Sequence, residues 1–308
     1  MRAVFVDATP SLGDVMERLR RPGDIPVAIN RDPDIRPEAL PALLAGAEIA
    51  IDDHTHFPTE IVRRMPDLRH IVFLGTGARS YMNPEELAEL GVQVHIIKGY
   101  GDTAVAEMAF ALMWAAARGL GDMHREIVAG GWPRPEGRQL TGKTVGLIGL
   151  GGIGTEMARL CAGVGMHVLA WNRTPKEAPP GVTMTDLDTL LAESDVVSLH
   201  LLLTDETRGF LSRERLGKMR PGAILVNTAR GAIVDEAAMI EALGTGRLGA
   251  AGLDVFTEEP LPAGHPLTRL PNVVLAGHAA FRTPEATDNL IGAALDHCRR
   301  IARKASGG

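Results

Sequence analysis

Between Lys143 and Thr174 the chain reads KTVGLIGLGGIGTEMARLCAGVGMHVLAWNRT, and few folds accommodate that order of residues. Thr144 to Ile148 is a short apolar run of the kind shown by a strand buried on both faces. Gly149-Leu150-Gly151-Gly152-Ile153-Gly154 follows without a gap, then an amphipathic helix, then a second strand-like run from Met166 to Trp171. Strand, glycine turn, helix and strand make a βαβ unit. In such a unit Gly149 permits the tight turn, Gly151 lets backbone N–H groups approach a pyrophosphate, and Gly154 lets the helix pack close to the strand. A dinucleotide would rest on the positive end of that helix, along Gly149, Gly151, Gly152, Ile153 and Gly154. The glycine pattern alone is weak in a chain with 35 glycines, and the elements around it supply the specificity.

A length of 308 residues suits two domains. Up to about residue 97, short apolar runs at Ala3–Asp7, Val27–Ile29, Ile49–Ile51, Ile71–Phe73 and Val92–His95 alternate with helical segments opened by Pro or by a Ser, Thr or Asn cap. That alternation implies a parallel sheet. A second α/β domain begins near Thr141. Its strands are expected at Val196–Leu199, Ala223–Asn227, Ala250–Val255 and Val273–Leu275 beyond the nucleotide unit. The fold class is therefore α/β with two doubly wound parallel-sheet domains, a flavodoxin-like one and a Rossmann dinucleotide-binding one. Their expected extents are 1–98 plus 284–308 and 99–283. The Ala-rich stretch Thr103–Leu120, apolar almost all round, is expected as one buried helix that bridges the domains or meets a second subunit, and Gly130–Pro135 as an arm or loop.

The net charge of −6, with no clustered basic run, argues against a nucleic-acid partner, and no apolar run reaches membrane-spanning length. Met1-Arg2-Ala3 leads directly into strand-like Val4-Phe5-Val6, so a cytoplasmic location is expected. Cys161 and Cys298, far apart, read as reduced structural thiols. The run Asp52-Asp53-His54-Thr55-His56 holds potential metal ligands, but its spacing is not that of a zinc motif, and no metal site is expected.

Four further segments arrive in a fixed order: Asn227-Thr228-Ala229-Arg230-Gly231, Gly252-Leu253-Asp254-Val255-Phe256, Glu258-Glu259-Pro260 and Gly277-His278-Ala279-Ala280. With the glycine loop and Val105-Ala106-Glu107, they make the chain resemble the D-isomer-specific 2-hydroxyacid dehydrogenase family, in its glyoxylate/hydroxypyruvate reductase-like branch. The resemblance implies hydride transfer between a nicotinamide and C2 of a small 2-oxo or 2-hydroxy acid, at a cleft between domains that closes about residues 97–103 and 278–284. It implies that Arg230 grips the substrate carboxylate and 2-oxygen, a task suited to a planar, always charged guanidinium. His278 matches the family acid/base and Glu259 the carboxylate that orients it. Reduction of a 2-oxo acid needs a proton on the oxygen, and imidazole exchanges one near neutrality. By the same resemblance Thr228, Ala229 and Asp254 face the cofactor, Asp254 near the nicotinamide carboxamide, and Gly75, Thr76 and Gly77 face the substrate carboxylate. A homodimer through the nucleotide domains is also implied.

Departures from the family pattern occur at Ala78–Met82, at Met108 where a histidine is common, and at Leu202 where a proline is common. They bear on substrate identity. A formate-oxidising relative is disfavoured, because Glu259 stands where that branch resembles a glutamine. A phosphite-oxidising relative, or a nucleotide-sensing scaffold resembling the family's corepressors, keeps the same motifs.

Eighteen residues beyond Gly154, where an NAD site usually carries an acid for the ribose diol, stands Asn172, followed by Arg173 and Thr174. A carboxylate there would repel a 2′-phosphate, whereas Asn, Arg and Thr donate to one. NADP(H) is the expected preference, with NAD(H) also accommodated.

Overall fold

Twelve strands form among residues 1–305, the part of the chain that the computed structural model describes, and they sort into two all-parallel sheets. Met1–Gly101 together with the chain from Thr283 onward makes one compact unit, and Asp102–Arg282 the other.

In the first unit, β1 (Ala3–Phe5), β2 (Val27–Ile29), β3 (Ile49–Asp52), β4 (His70–Phe73) and β5 (Gln93–Ile96) lie in the order β2-β1-β3-β4-β5. This is the flavodoxin-like arrangement, whose strand order reverses between β1 and β3. One face buries Phe57, Val62 and Leu87 from the connecting segments. The other buries the apolar stripe of the helix Pro284–Ala305, through Leu290, Ile291, Ala294, Leu295 and Cys298, beside the helix Pro10–Leu19. The C-terminal helix is tied further by Arg299, whose Nε and Nη2 donate to the two carboxylate oxygens of Asp24 at 2.7 Å each.

At the carboxyl ends of β1 and β3 two acids are fully buried. Asp7 accepts from the backbone N–H groups of Asp53, His54 and Thr55 and from the Thr55 hydroxyl at 2.7–2.9 Å, and so shapes the loop after β3. Asp52 accepts from Thr55 N–H through Oδ1, while its Oδ2 meets no donor. Burial, and then the neighbouring Asp7 carboxylate, push the Asp52 carboxyl well above the usual range. The physical consequence is that Asp52 keeps its proton in the fold. A group that keeps its proton in the fold but releases it when unfolded loses stability as pH rises above about 4. Asp52→Asn keeps the acceptor for Thr55 and removes the titrating proton beside the Asp7 carboxylate. It should stabilise the protein by ~1–3 kcal/mol at pH 8, with the gain vanishing near pH 4, as followed by urea unfolding. Destabilisation at both pH values would refute a protonated Asp52.

The second unit contains β6 (Thr144–Ile148), β7 (His167–Trp171), β8 (Val182–Met184), β9 (Val196–Leu199), β10 (Ala223–Asn227), β11 (Leu248–Leu253) and β12 (Val273–Leu275), ordered β12-β11-β10-β9-β6-β7-β8. Counted from β6, the strands give the Rossmann order with one strand added, and the reversal falls between β6 and β9. Every residue of β9 and β10 is buried, as sheets covered on both faces require. The helices Leu187–Glu193, Arg213–Lys218 and Glu236–Gly244 begin at Asp186, Ser212 and Asp235, each of which caps a backbone N–H with its side chain.

The expectation for Thr103–Leu120 needs correcting. The helix runs Asp102–Arg118 and stops at Gly119, which takes a left-handed φ of 62°. Its buried face, Ala106, Ala109, Leu112, Met113 and Ala117, packs on the unit's own sheet and against the helix Gly152–Gly163. A Cβ at Gly252 would collide with Leu112, so the glycine of Gly252-Leu253-Asp254 is what lets this helix lie on β11. The apolar surface is spent inside the unit. A second helix, Leu120–Val128, follows and buries none of its residues.

Candidate active site

The glycine loop leaves β6 at Gly149, whose φ of 101° and contact with the His200 carbonyl leave no room for a side chain. A Cβ at Gly154 would strike the Gly149 carbonyl oxygen, and this close approach seats the helix Gly152–Gly163 against the turn. Gly151 differs, since a Cβ there would meet nothing within 4 Å. It stands as the N-cap of the helix, with no side chain capping the first N–H groups. Open space beside uncapped helix N–H groups fits the pyrophosphate of a dinucleotide. A second feature fits a cofactor as well: the buried Thr228 hydroxyl has no hydrogen-bond partner.

Asn172, just past β7, holds the loop from the other side. Leu150 N–H donates to its Oδ1 at 3.1 Å, and its Nδ2 donates to the Thr174 carbonyl at 2.7 Å. Arg173 pairs with Glu206, both exposed. Lys176 donates through Nζ to the Leu150 carbonyl at 2.7 Å, which places a second cation against the glycine loop.

At the carboxyl end of β10, buried Asn227 fixes the segment that follows by accepting from Ala229 N–H and donating to the Arg230 carbonyl, both at 3.0 Å. Arg230 is exposed, and its guanidinium donates from Nη1 to the Ala229 carbonyl at 2.6 Å. No carboxylate pairs with it among the described residues, so the guanidinium keeps its capacity for an anion. A Cβ at Gly231 would overlap the backbone of Phe256 and Thr257. That glycine lets the Arg230 loop press onto the segment leading to Glu259.

Glu259 uses one oxygen, Oε1, to accept from Phe256 N–H at 2.8 Å, and the other, Oε2, to meet His278 Nδ1 at 2.6 Å. The anchored carboxylate holds the Nδ1 proton and leaves Nε2 for chemistry. His278 has a φ of 51°, the single positive value among the described non-glycine residues. Such a backbone persists only when its surroundings impose it. Here Asp254 imposes it. Its carbonyl accepts from His278 N–H at 2.7 Å, and its two carboxylate oxygens accept from Ala279 and Ala280 N–H at 2.9 and 3.0 Å. With both oxygens engaged and 1% exposure, Asp254 sits behind the His278 loop as its clamp.

Two observations together decide the lineage. The sequence model described as "D-isomer specific 2-hydroxyacid dehydrogenase, NAD binding domain" matches residues 110–280. The glyoxylate reductase of Thermofilum pendens is 39% identical over 241 residues, covering 75% of this chain and 71% of that protein. The chain belongs to the D-isomer-specific 2-hydroxyacid dehydrogenases. These are oxidoreductases that use a nicotinamide dinucleotide. The hydroxypyruvate reductase of Thermotoga maritima is 37% identical over 243 residues, 77% of this chain and 79% of that protein. Against the D-3-phosphoglycerate dehydrogenase of Archaeoglobus fulgidus, 39% identical over 247 residues, the match covers 79% of this chain but only 47% of that longer protein. Among solved structures, a protein of Thermus thermophilus superimposes with a TM-score of 0.87 at 35% identity, over 99% of this chain and 97% of that one.

Within this dehydrogenase, the departures from the family pattern fall in different settings. Met108 packs against the core under the helix Asp102–Arg118, Ala78 and Met82 are buried, and Leu202 is exposed past β9. The loop Gly75-Thr76-Gly77 follows β4 in the first unit, with Gly75 at a φ of 148°. Lys176 and Asn227 escape a reading of the sequence, because a lysine in a surface loop and an asparagine ending a strand carry no signal until their partners are known. Half-buried His200, beside the glycine turn, has its imidazole pushed down to about 4 by desolvation and bonds Ser198 Oγ at 3.0 Å. Among the described residues no group of three or more His, Cys, Asp or Glu side chains is arranged to hold a metal ion, and no helix is long and apolar enough to cross a membrane.

Proposed function

We propose that the protein is an NADP(H)-preferring reductase of small 2-oxo acids of the glyoxylate or hydroxypyruvate type, acting in the cytoplasm as a homodimer. The observation that carries the chemistry is the 2.6 Å contact of His278 Nδ1 with a Glu259 already anchored on Phe256 N–H. When bound, a reduced nicotinamide supplies the hydride that C2 accepts. His278 Nε2 delivers the proton to the 2-oxygen, and Glu259 steadies the ring through the exchange. Arg230 holds the substrate carboxylate and 2-oxygen, assisted by the amides of Gly75, Thr76 and Gly77. Gly149, Gly151, Gly152, Ile153 and Gly154 take the pyrophosphate, and Thr228 and Ala229 line the nicotinamide side, while Asp254 acts from behind by holding the His278 loop.

The cofactor preference rests on charge. No acid ends β7, and Arg173 and Lys176 flank the place where a 2′-phosphate would lie. Arg173 reaches it by leaving Glu206, an exposed pair worth ~0–1 kcal/mol. The kcat/KM ratio of NADPH to NADH should exceed one in the wild type, fall about tenfold in Arg173→Ala, and rise in Glu206→Gln. A wild type that prefers NADH ends this part of the reading. Tight cofactor binding with no turnover of any small 2-oxo acid would favour the scaffold instead.

The dimer reading rests on the helix Leu120–Val128 and the arm beyond it, where Val128 is 74% and Trp132 80% exposed. Apolar surface of this kind marks an interface. Sedimentation at micromolar concentration should show twice the 32.8 kDa chain mass, and Trp132→Glu should shift it toward a single chain.

A further inference from the structure

A carboxylate lies against the glycine turn, where a pyrophosphate of the same charge is to bind. Asp102 opens the helix Asp102–Arg118, and a Cβ at Gly152 would overlap its Oδ2. Gly152 is the first residue of the helix Gly152–Gly163, so its missing side chain is what admits the acid to the turn. Both helices belong to the second unit and pack on one another. An acid in the first turn of a helix is favoured by that helix's own dipole, but this does not require it to press on the start of a second helix.

The surroundings of Asp102 do not favour its charge. It has no hydrogen-bond or ion-pair partner among the described residues, and the N–H groups at the start of the helix Gly152–Gly163 remain uncapped by any side chain. Burial, and then the neighbouring Glu156 carboxylate, raise the Asp102 carboxyl above its usual range. The cations nearby are committed elsewhere: Arg159 Nε pairs with Glu156 at 3.0 Å, and Lys176 Nζ donates to the Leu150 carbonyl at 2.7 Å. His200, beside Gly149 and Gly154, is neutral at physiological pH, and Glu107, on Asp102's own helix, is exposed.

We propose that Asp102 is a cofactor-binding residue that works in its protonated form, taking up one proton from solvent as the dinucleotide binds and donating it in a hydrogen bond to a pyrophosphate oxygen. Ionised, the same carboxylate repels the pyrophosphate from the helix N–H groups. Protonated, it adds a side-chain donor to a turn whose other donors are backbone amides. The complex then holds one more proton than the separate partners, so affinity falls as pH rises. This inference rests on the reading of Gly149 to Gly154 as the pyrophosphate site and adds a proton to it.

The test is binding of NADPH and of NADH, followed by the fluorescence of the reduced nicotinamide at pH 5.5 and pH 8. Wild-type affinity for both should fall about tenfold over that range, a modest effect for like charges close together at a half-buried site. Asp102→Asn keeps the size of the side chain and carries a permanent donor. It should bind both cofactors about tenfold more tightly than wild type at pH 8 and show little pH dependence. Both cofactors carry the pyrophosphate, and only NADPH carries a 2′-phosphate that itself titrates near about pH 6. A pH dependence seen with NADPH alone, or one that persists in Asp102→Asn, overturns the assignment. Calorimetric titration of wild type with NADH in two buffers of different ionisation heat reads the proton directly and needs no variant: net uptake between pH 6 and 7 supports the role. An acid serving only its own helix would alter the unfolding midpoint of Asp102→Asn and leave the pH profile of binding unmoved. Tight binding with no proton uptake overturns the role of Asp102 alone, whereas a wild type that binds neither cofactor overturns the pyrophosphate reading with it.

Discussion

Replacing His278 with alanine should lower kcat/KM for the best 2-oxo acid by about a thousandfold, while leaving cofactor affinity and the unfolding midpoint close to wild type. The size follows from what a positioned acid/base group contributes, ~10²–10⁴ in rate. Folding should be spared because the side chain is 38% exposed and its neighbours are held by Asp254, which bonds the backbone and not the ring. Glu259→Gln should cost less, about ten- to a hundredfold, since glutamine retains an acceptor for Phe256 N–H and loses the charge that steadies the ring. Asp254→Ala should instead damage both rate and stability, because it strands the buried N–H of Ala280 and the half-buried N–H of Ala279 and releases the left-handed turn at His278. The measurement is steady-state kinetics paired with cofactor titration. A His278→Ala loss smaller than tenfold would remove the residue from the chemistry.

The second large effect lies far from the reaction. Asp24→Ala should destabilise the first unit by ~1–3 kcal/mol, because the half-buried Arg299 guanidinium loses two charge-assisted hydrogen bonds and keeps only Asp296 as a partner. The side chains of Asp24 and Arg299 are only 9% and 12% exposed, so solvent screens the pair little. The Arg299 guanidinium holds the Asp24 carboxyl down to about 2. A carboxylate whose folded pKa lies below its unfolded value contributes in full above about pH 4 and loses that contribution as pH falls toward 2. A separate acid-labile device acts earlier. His95 is pushed down to about 4 by burial, with His70 and His297 beside it and also lowered, mainly by burial. His70 Nδ1 and His95 Nε2 stand 3.1 Å apart, which requires one of the two rings to be neutral. Unfolded histidines take up protons from about pH 6.5 downward while these resist, so stability declines between about 6.5 and 4. Urea unfolding at pH 7, 5 and 3 should show the Asp24→Ala deficit at pH 7 and 5 and a smaller one at pH 3. A deficit that stays constant with pH would mean that the ion pair contributes nothing.

The glycine loop shows how far residue order alone reaches. Gly149, Gly151 and Gly154 have separate duties that their spacing already implies, and the φ of 101° at Gly149, the open space at Gly151 and the close approach at Gly154 follow them one by one. Boundaries are less legible. The run from Thr103 reads as one helix because alanine, leucine and methionine favour helix throughout, yet a left-handed Gly119 divides it, and β8 at Val182–Met184 is too short to carry a period. The destination of the apolar helix is hidden for a related reason: composition shows that a face must be buried but not against what.

Chain order by itself determined the class of fold, two parallel α/β sheets, and the kind of ligand one of them takes, because strand, turn and helix signals are local and their spacing is set by backbone geometry. The arrangement that makes His278 usable was decided only in three dimensions. Glu259 and His278 are 19 residues apart, Asp254 clamps a loop more than 20 residues further along, and Gly231 presses the Arg230 loop onto Phe256. Hydrogen bonds and steric contact act over a few ångströms whatever the sequence separation, so which groups meet is fixed by how the strands are laid side by side.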